Sequence, residues 1–163
     1  MPEQALPPNQ AYYRACVGSW RAVMSLRITD SADLARSGMR WVDRVSVRIM
    51  AAWPRWLGTI ALCTTVAFDA QGEVVHTTAV RWLGITIKRS VEIFALDPDG
   101  LSFTVRGGMS GAGTVTPSAT SASYTLDWSG ARFVQTTQRE PNLVTLTQTG
   151  PGFGGTQALH RQP

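Results

Sequence analysis

From Trp20 onward, Ala22, Met24, Leu26 and Ile28 fall on one side of an extended chain, while Arg21, Val23, Ser25 and Arg27 fall on the other. This is the period-two signature of a strand with one buried face. The same pattern returns in Ile60, Leu62, Thr64, Val66 and Phe68, then in Val74, His76, Thr78, Val80 and Trp82. A further set, Ile85, Ile87, Arg89, Val91 and Ile93, reads as the next inward face. Between the first run and these, Trp41, Asp43, Val45, Val47 and Ile49 alternate with Val42, Arg44, Ser46, Arg48 and Met50, which predicts a strand over 41–50 with the first set inward. Trp53-Pro54-Arg55-Trp56 should end it, because proline removes a ladder donor. Arg55-Trp56-Leu57-Gly58 recurs as Arg81-Trp82-Leu83-Gly84, too short for a repeat architecture, and both glycines read as kinks or bends.

Turn chemistry separates the rest of the chain into short pieces. Asp69–Glu73 and Asp97-Pro98-Asp99-Gly100 are hairpin and turn signals. Leu101, Phe103 and Val105 form a short strand that leads into Gly107–Gly113. That glycine-rich stretch precedes no helix N-terminus that could hold an anion, so a flexible hairpin at a rim is expected in place of a phosphate loop. Four more strands follow, Ala122–Trp128, Arg132–Arg139, Leu143–Thr149 and Thr156–Arg161. Near the start, Pro7-Pro8-Asn9 is placed to cap a short helix from Gln10 to about Ala15, and 29–38 reads as a loop or single helical turn over the opposite mouth. Together these give an all-β fold, an antiparallel up-and-down β-barrel of about 8–10 strands with a short N-terminal helix. Closure removes exposed edges; a sandwich is the alternative, and the barrel is preferred because early strands of about a dozen residues, roughly 40 Å if straight, are accommodated by coiling. The expectation is one domain over 1–163, with 1–8 as a flexible tail.

Composition narrows the function. Charged residues make up 16% of the chain, against roughly 25% in a typical soluble domain. The net charge of +4 comes from fourteen arginines and Lys88, with no basic run longer than the Lys88-Arg89 pair. Nucleic acid is therefore not an expected partner; Arg40, Arg44 and Arg48 read as a solvated outer face. No secretory leader or apolar stretch of spanning length is present in the sequence, which predicts a cytoplasmic protein without a membrane span. Cys16 and Cys63 are too few and too isolated for a disulfide framework or metal site. No cofactor is implied, and the oligomeric state is left open.

Gly18-Ser19-Trp20 and Arg161, at the two ends of the barrel sequence, resemble the lipocalin-like (calycin) group. That resemblance implies that Trp20 closes the barrel floor and that Arg161 packs across its ring, both as structural residues. It also implies an interior that holds a small molecule. In strand number the chain is similar to nitrobindin-type haem barrels as well, but Arg21-Ala22-Val23-Met24 replaces their glycine-rich motif, and His160 would point outward if Arg161 points in.

Polar residues on otherwise apolar faces are the candidates for chemistry. Asp43, His76 and Arg89 are each in phase with inward positions, where an unpaired charge costs several kcal/mol. Asp43 and Arg89 pairing with each other is one outcome; a β-bulge turning one of them outward is another. The functional reading is that Arg89, with His76 and Tyr124, anchors the polar or anionic end of a mostly apolar ligand. Trp41, Trp82, Phe103, Tyr124 and Trp128 would supply the walls, with Ala22, Ala122 and Thr136 small enough to leave space. The alternative is a cofactor-free cyclase or isomerase in the same cavity, with Asp43 or His76 as acid or base and Arg89 stabilising an oxyanion.

Overall fold

A computed structural model describes residues 5–56 and 58–163; the first four residues of the expected tail, and Leu57 of the short internal echo, lie outside the described residues. In chain order the elements are α1 (Pro8–Cys16), β1 (Gly18–Val23), β2 (Arg27–Ile28), α2 (Ser31–Arg36), α3 (Trp41–Trp56), β3 (Ala61–Phe68), β4 (Val74–Trp82) and β5 (Ile85–Leu96). Then follow β6 (Ser102–Gly107), β7 (Ser110–Val115), β8 (Ser121–Trp128), β9 (Ala131–Glu140), β10 (Leu143–Gly150) and β11 (Phe153–Arg161).

Each strand from β3 to β11 pairs antiparallel with its neighbour in sequence, β1 pairs with β3, and β1 also pairs with β11. The result is a closed ten-strand barrel, with the two-residue β2 added to the free edge of β11. The seam is short: Trp20 lies opposite Arg161 and Arg21 opposite His160. At that point the Arg161 guanidinium sits 4.5 Å from the centre of the Trp20 ring. Its two terminal nitrogens donate to the carbonyls of Val17, at 2.9 Å, and Ala15, at 2.6 Å. The indole Nε1 donates to the carbonyl of Cys16 at 2.8 Å. One stack and three hydrogen bonds thus tie the last strand, the first strand and the end of α1 together.

Helix α1 begins one residue after Pro7, with Pro8 in its first turn, where a missing N–H costs nothing. Asn9 does not cap it; its side-chain amide donates to the carbonyls of Asp97 and Ser102, both at 3.0 Å, fastening the helix to the β5–β6 turn. The apolar side, Tyr12, Tyr13 and Cys16, is buried in the barrel end. At the other side of the chain, α2 is capped by Asp30, whose carboxylate accepts from the amides of Ala32 and Asp33.

Besides the first alternating run, which is split into β1 and the two-residue β2, three expectations change. Residues 41–50 are helical, because burial falls on Asp43, Val47, Met50 and Trp53, a spacing of three and four and not two. Trp53-Pro54-Arg55-Trp56 accordingly forms the last turn of α3 instead of breaking a strand. Part of the glycine-rich stretch is strand β7, whose glycines allow flush packing: a Cβ on Gly111 would lie 2.0 Å from the Thr125 carbonyl oxygen. The third concerns β5. Leu83 and Gly84 both have positive φ, 48° and 81°, which makes a two-residue primed hairpin turn after Trp82. The pairing then slips: Trp82 faces Ile85 and Arg81 faces Thr86, but Val80 faces Lys88. Ile87 is the unpaired residue of a β-bulge, and beyond it the two faces of β5 exchange. Lys88, Ser90, Glu92 and Phe94 therefore follow the inward set of β4, while Arg89 and Val91 face out.

Candidate functional site

The inward residues of the barrel enclose two adjoining chambers of about 150 Å³ and 430 Å³. Thr78, Ser90, Glu92, Met109, Gln135 and Gln148 line both and mark where they meet. The inner chamber is floored by Tyr12, Tyr13, Cys16 and Trp20, so the plug formed by α1 and the Trp20 stack is also its base. The outer chamber is covered by α3 through Val47 and Met50, and walled by Trp128, Phe133 and Phe153. Tyr13, Phe94 and Tyr124 of the inner chamber pack edge-on or tilted around Phe103 behind them, with ring centres 5.4 to 6.1 Å apart. Such rigid aromatic packing holds the wall in place.

The hairpin of β6 and β7 is shorter than the strand on either side of it, since β6 pairs with β5 only from Glu92 onward. Past its tip the start of β5 meets the end of β8, where the Lys88 ammonium lies 4.7 Å from the centre of the Trp128 ring. This pair and α3 border the outer chamber. The N-terminal end of α3 is fixed to the β8–β9 turn, because Ser129 donates from its hydroxyl to the Asp43 carboxylate, which also accepts from Arg40 Nε at 3.0 Å. The Ser129 hydroxyl, helped by Arg40, holds the Asp43 carboxyl below its ordinary range.

Polar side chains are interspersed among the apolar ones that line the interior. Gln135 donates to the Tyr124 hydroxyl at 2.8 Å, and the Tyr12 and Thr137 hydroxyls meet at 2.6 Å. Burial pushes the Tyr12, Tyr13 and Tyr124 phenols well above their ordinary range, so they remain neutral. Burial likewise raises the Cys16 thiol to about 11. Glu92 is 2% exposed and lies directly across the β4–β5 ladder from His76. Its Oε2 is 3.9 Å from His76 Nδ1, and its Oε1 has no hydrogen-bond partner among the described residues.

Of the residues singled out from sequence, His76 and Tyr124 line the inner chamber and Trp128 the outer one. Phe103 is fully buried behind the wall, in the aromatic cluster. Trp82 packs edge-on against Trp53 of α3, ring centres 5.5 Å apart. Trp41 is 69% exposed on the outer face of α3, a consequence of the helix replacing the expected strand. Asp43 is on that helix too, bound to Arg40 and Ser129, not to Arg89. Arg89, turned out by the bulge, only borders the outer chamber from an exposed position. Ala22 and Ala122 are buried as expected, but Thr136 faces out and Thr137 in. Asp43, His76 and Arg89 are thus not brought to one chamber: His76 lines the inner one, Arg89 borders the outer one and Asp43 lines neither. Glu92 was missed: its inward position follows from the bulge, and a primed turn at Leu83-Gly84 was the only local sign of the pairing from which the bulge departs.

No family model matches this chain, and no curated protein matches it in sequence. Among solved structures, fatty-acid-binding protein 1 of Echinococcus granulosus overlays with a TM-score of 0.53 at 13% identity, covering 92% of this chain and 99% of that one. The REP1-NXSQ fatty acid transporter gives 0.49 at 11% identity, over 92% and 98% of the two chains. As-p18, an extracellular fatty acid binding protein, gives 0.49 at 10% identity, over 97% and 100%. The likeness to the first of these shows the fold, a lipocalin-like (calycin) β-barrel.

Proposed function

We propose that this chain binds a small, mostly hydrophobic molecule with a polar end inside its barrel. The observation that carries the reading is the pair of joined chambers. The outer one, at about 430 Å³, falls within the roughly 300–1,000 Å³ of small-molecule sites. Its lining combines aliphatic and aromatic walls, among them Leu26, Val47, Trp128 and Phe133, with polar side chains such as Ser90, Glu92 and Gln135. The E. granulosus protein that shares the fold is named for binding fatty acids, which supports an apolar ligand here. Both cysteines are free, which suits the cytoplasm, and among the described residues no helix is long and apolar enough to cross a membrane.

Uptake of a straight-chain C12 alcohol, followed by native mass spectrometry and by the emission of Trp20 and Trp128, tests the reading. A 1:1 complex is expected. Ser90 lines both chambers, so Ser90→Phe should block uptake while the variant still melts cooperatively. A wild-type protein that takes up neither the alcohol nor any apolar molecule from the cell would overturn the proposal.

A further inference from the structure

Resting on the reading of the barrel as a binder of apolar molecules, we propose that the ligand's polar end is a primary ammonium group, received by the buried carboxylate of Glu92. Glu92 is the only carboxylate among the described residues that line the two chambers, and it lines both. A buried charge without adequate partners costs several kcal/mol. Here His76 stands 3.9 Å from one oxygen, beyond hydrogen-bond reach, and the other oxygen has no partner among the described residues. A second acceptor has the same lack: Gln157 is 4% exposed, lines the outer chamber, and its Oε1 also has no partner. Two side chains that line the cavity, Glu92 on β5 and Gln157 on β11, therefore each carry a buried acceptor oxygen with no partner among the described residues.

The cations near the site do not answer Glu92. Lys88 lies four residues away on the same strand, roughly 13 Å along it, and is placed over the Trp128 ring. Arg89 points to the opposite face of β5 from Glu92 and borders the outer chamber only from an exposed position. An ammonium on an apolar body supplies what is missing, since it has three N–H donors, no acceptor, and a charge opposite to that of a carboxylate. A free fatty acid would instead bring a second carboxylate against Glu92, with like charges opposed in a low-dielectric interior. The surrounding backbone fits this role as well: a Cβ on Gly108 would lie 3.0 Å from Glu92 Oε1, so glycine there gives the carboxylate its space.

The test compares three ligands of one chain length, dodecylamine, dodecanol and dodecanoate, each below its micelle concentration or solubility limit, by calorimetry on the intact protein. The wild type should bind the amine about 10- to 100-fold more tightly than dodecanoate, the range expected for a charged hydrogen bond to a buried partner. Glu92→Gln should erase that preference and leave dodecanol within about threefold, because the amide keeps the shape and drops the charge. Dodecanoate binding as well as the amine to the wild type would overturn the head-group assignment and leave the apolar cavity standing. An unchanged amine preference in Glu92→Gln would do the same. If none of the three binds, the cavity reading fails and this proposal with it. The wild-type ranking decides the matter even if the variant does not fold.

Discussion

Two kinds of glycine serve this chain, and they separate residue identity from backbone freedom. Gly72, in the turn between β3 and β4, has φ of 82° and open space where a Cβ would go. Gly111 of β7 has no unusual φ, but a Cβ there would run into the Thr125 carbonyl of β8 at 2.0 Å. Gly72→Ala should cost roughly 1 kcal/mol, the penalty of a left-handed conformation. Gly111→Ala should cost about 1–3 kcal/mol or more, because the backbone of β8 must move. Melting of the two variants side by side is the check, at roughly 2–4 °C per kcal/mol for a chain of this size. Equal shifts would mean that close approach is not why Gly111 is glycine. The same residues explain a misreading, for Ser110–Val115 has no bulky side chains to alternate, and a strand chosen for flatness looks like a loop in sequence. Glu92 was hidden for a different reason, being an acidic residue between isoleucine and valine neighbours that look like the core.

At the scale of elements, a single extra residue decides which side chains the cavity receives. Ile87 has no partner across the β4–β5 ladder, and past it Glu92 faces His76. Removing Ile87 would leave Arg81–Thr86 and Val80–Lys88 as consecutive pairs, so the strand becomes regular and Glu92 stays inside. Removing Ile93 also shortens β5 by one isoleucine, but relaxing the bulge to absorb it would swing Glu92 outward and Arg89 inward. The first deletion should fold and retain amine binding; the second should lose that preference, and calorimetry on both reports it. Retention by both would mean that the bulge does not set the face. The strands from β8 to β11 were legible because turn residues bound them and alternation is clean, as in Ala131, Phe133, Gln135 and Thr137, all buried. Helix α3 was not. Trp41, Val42, Val45 and Ile49 are all exposed and apolar, so hydrophobic residues occur on every side of it and fit period two as well as period 3.6.

For the whole molecule, closure of the cylinder is what makes an interior, and closure depends on a narrow seam. β1 and β11 face each other at only two residue pairs, whereas β8 and β9 pair over eight residues on each side. The Arg161 guanidinium compensates by stacking on Trp20 and by donating to two carbonyls at the end of α1. Sequence could place these two residues at the ends of the barrel because a glycine-any-tryptophan start and a late arginine are local patterns; the three-way junction with α1 depends on how the helix turns back and left no local sign. Arg161→Ala should therefore lower stability by about 1–3 kcal/mol, from a desolvated cation–π contact and lost charged hydrogen bonds. Arg161→Lys keeps the charge but cannot fork between Val17 and Ala15 while lying flat on the indole, so it should recover only part of the loss. Arg132, half of an exposed pair with Asp127 at 3.5 Å, is the control, and its alanine variant should shift stability by about 0.5 kcal/mol at most. Hydrogen exchange adds the spatial readout. In Arg161→Ala the amides of β1 and the last residues of β11 should exchange faster, with β8 and β9 unchanged, because opening begins where pairing is least. Uniform acceleration around the barrel would show that the seam opens only with the whole fold, and that the stack contributes to global stability without acting as its clasp.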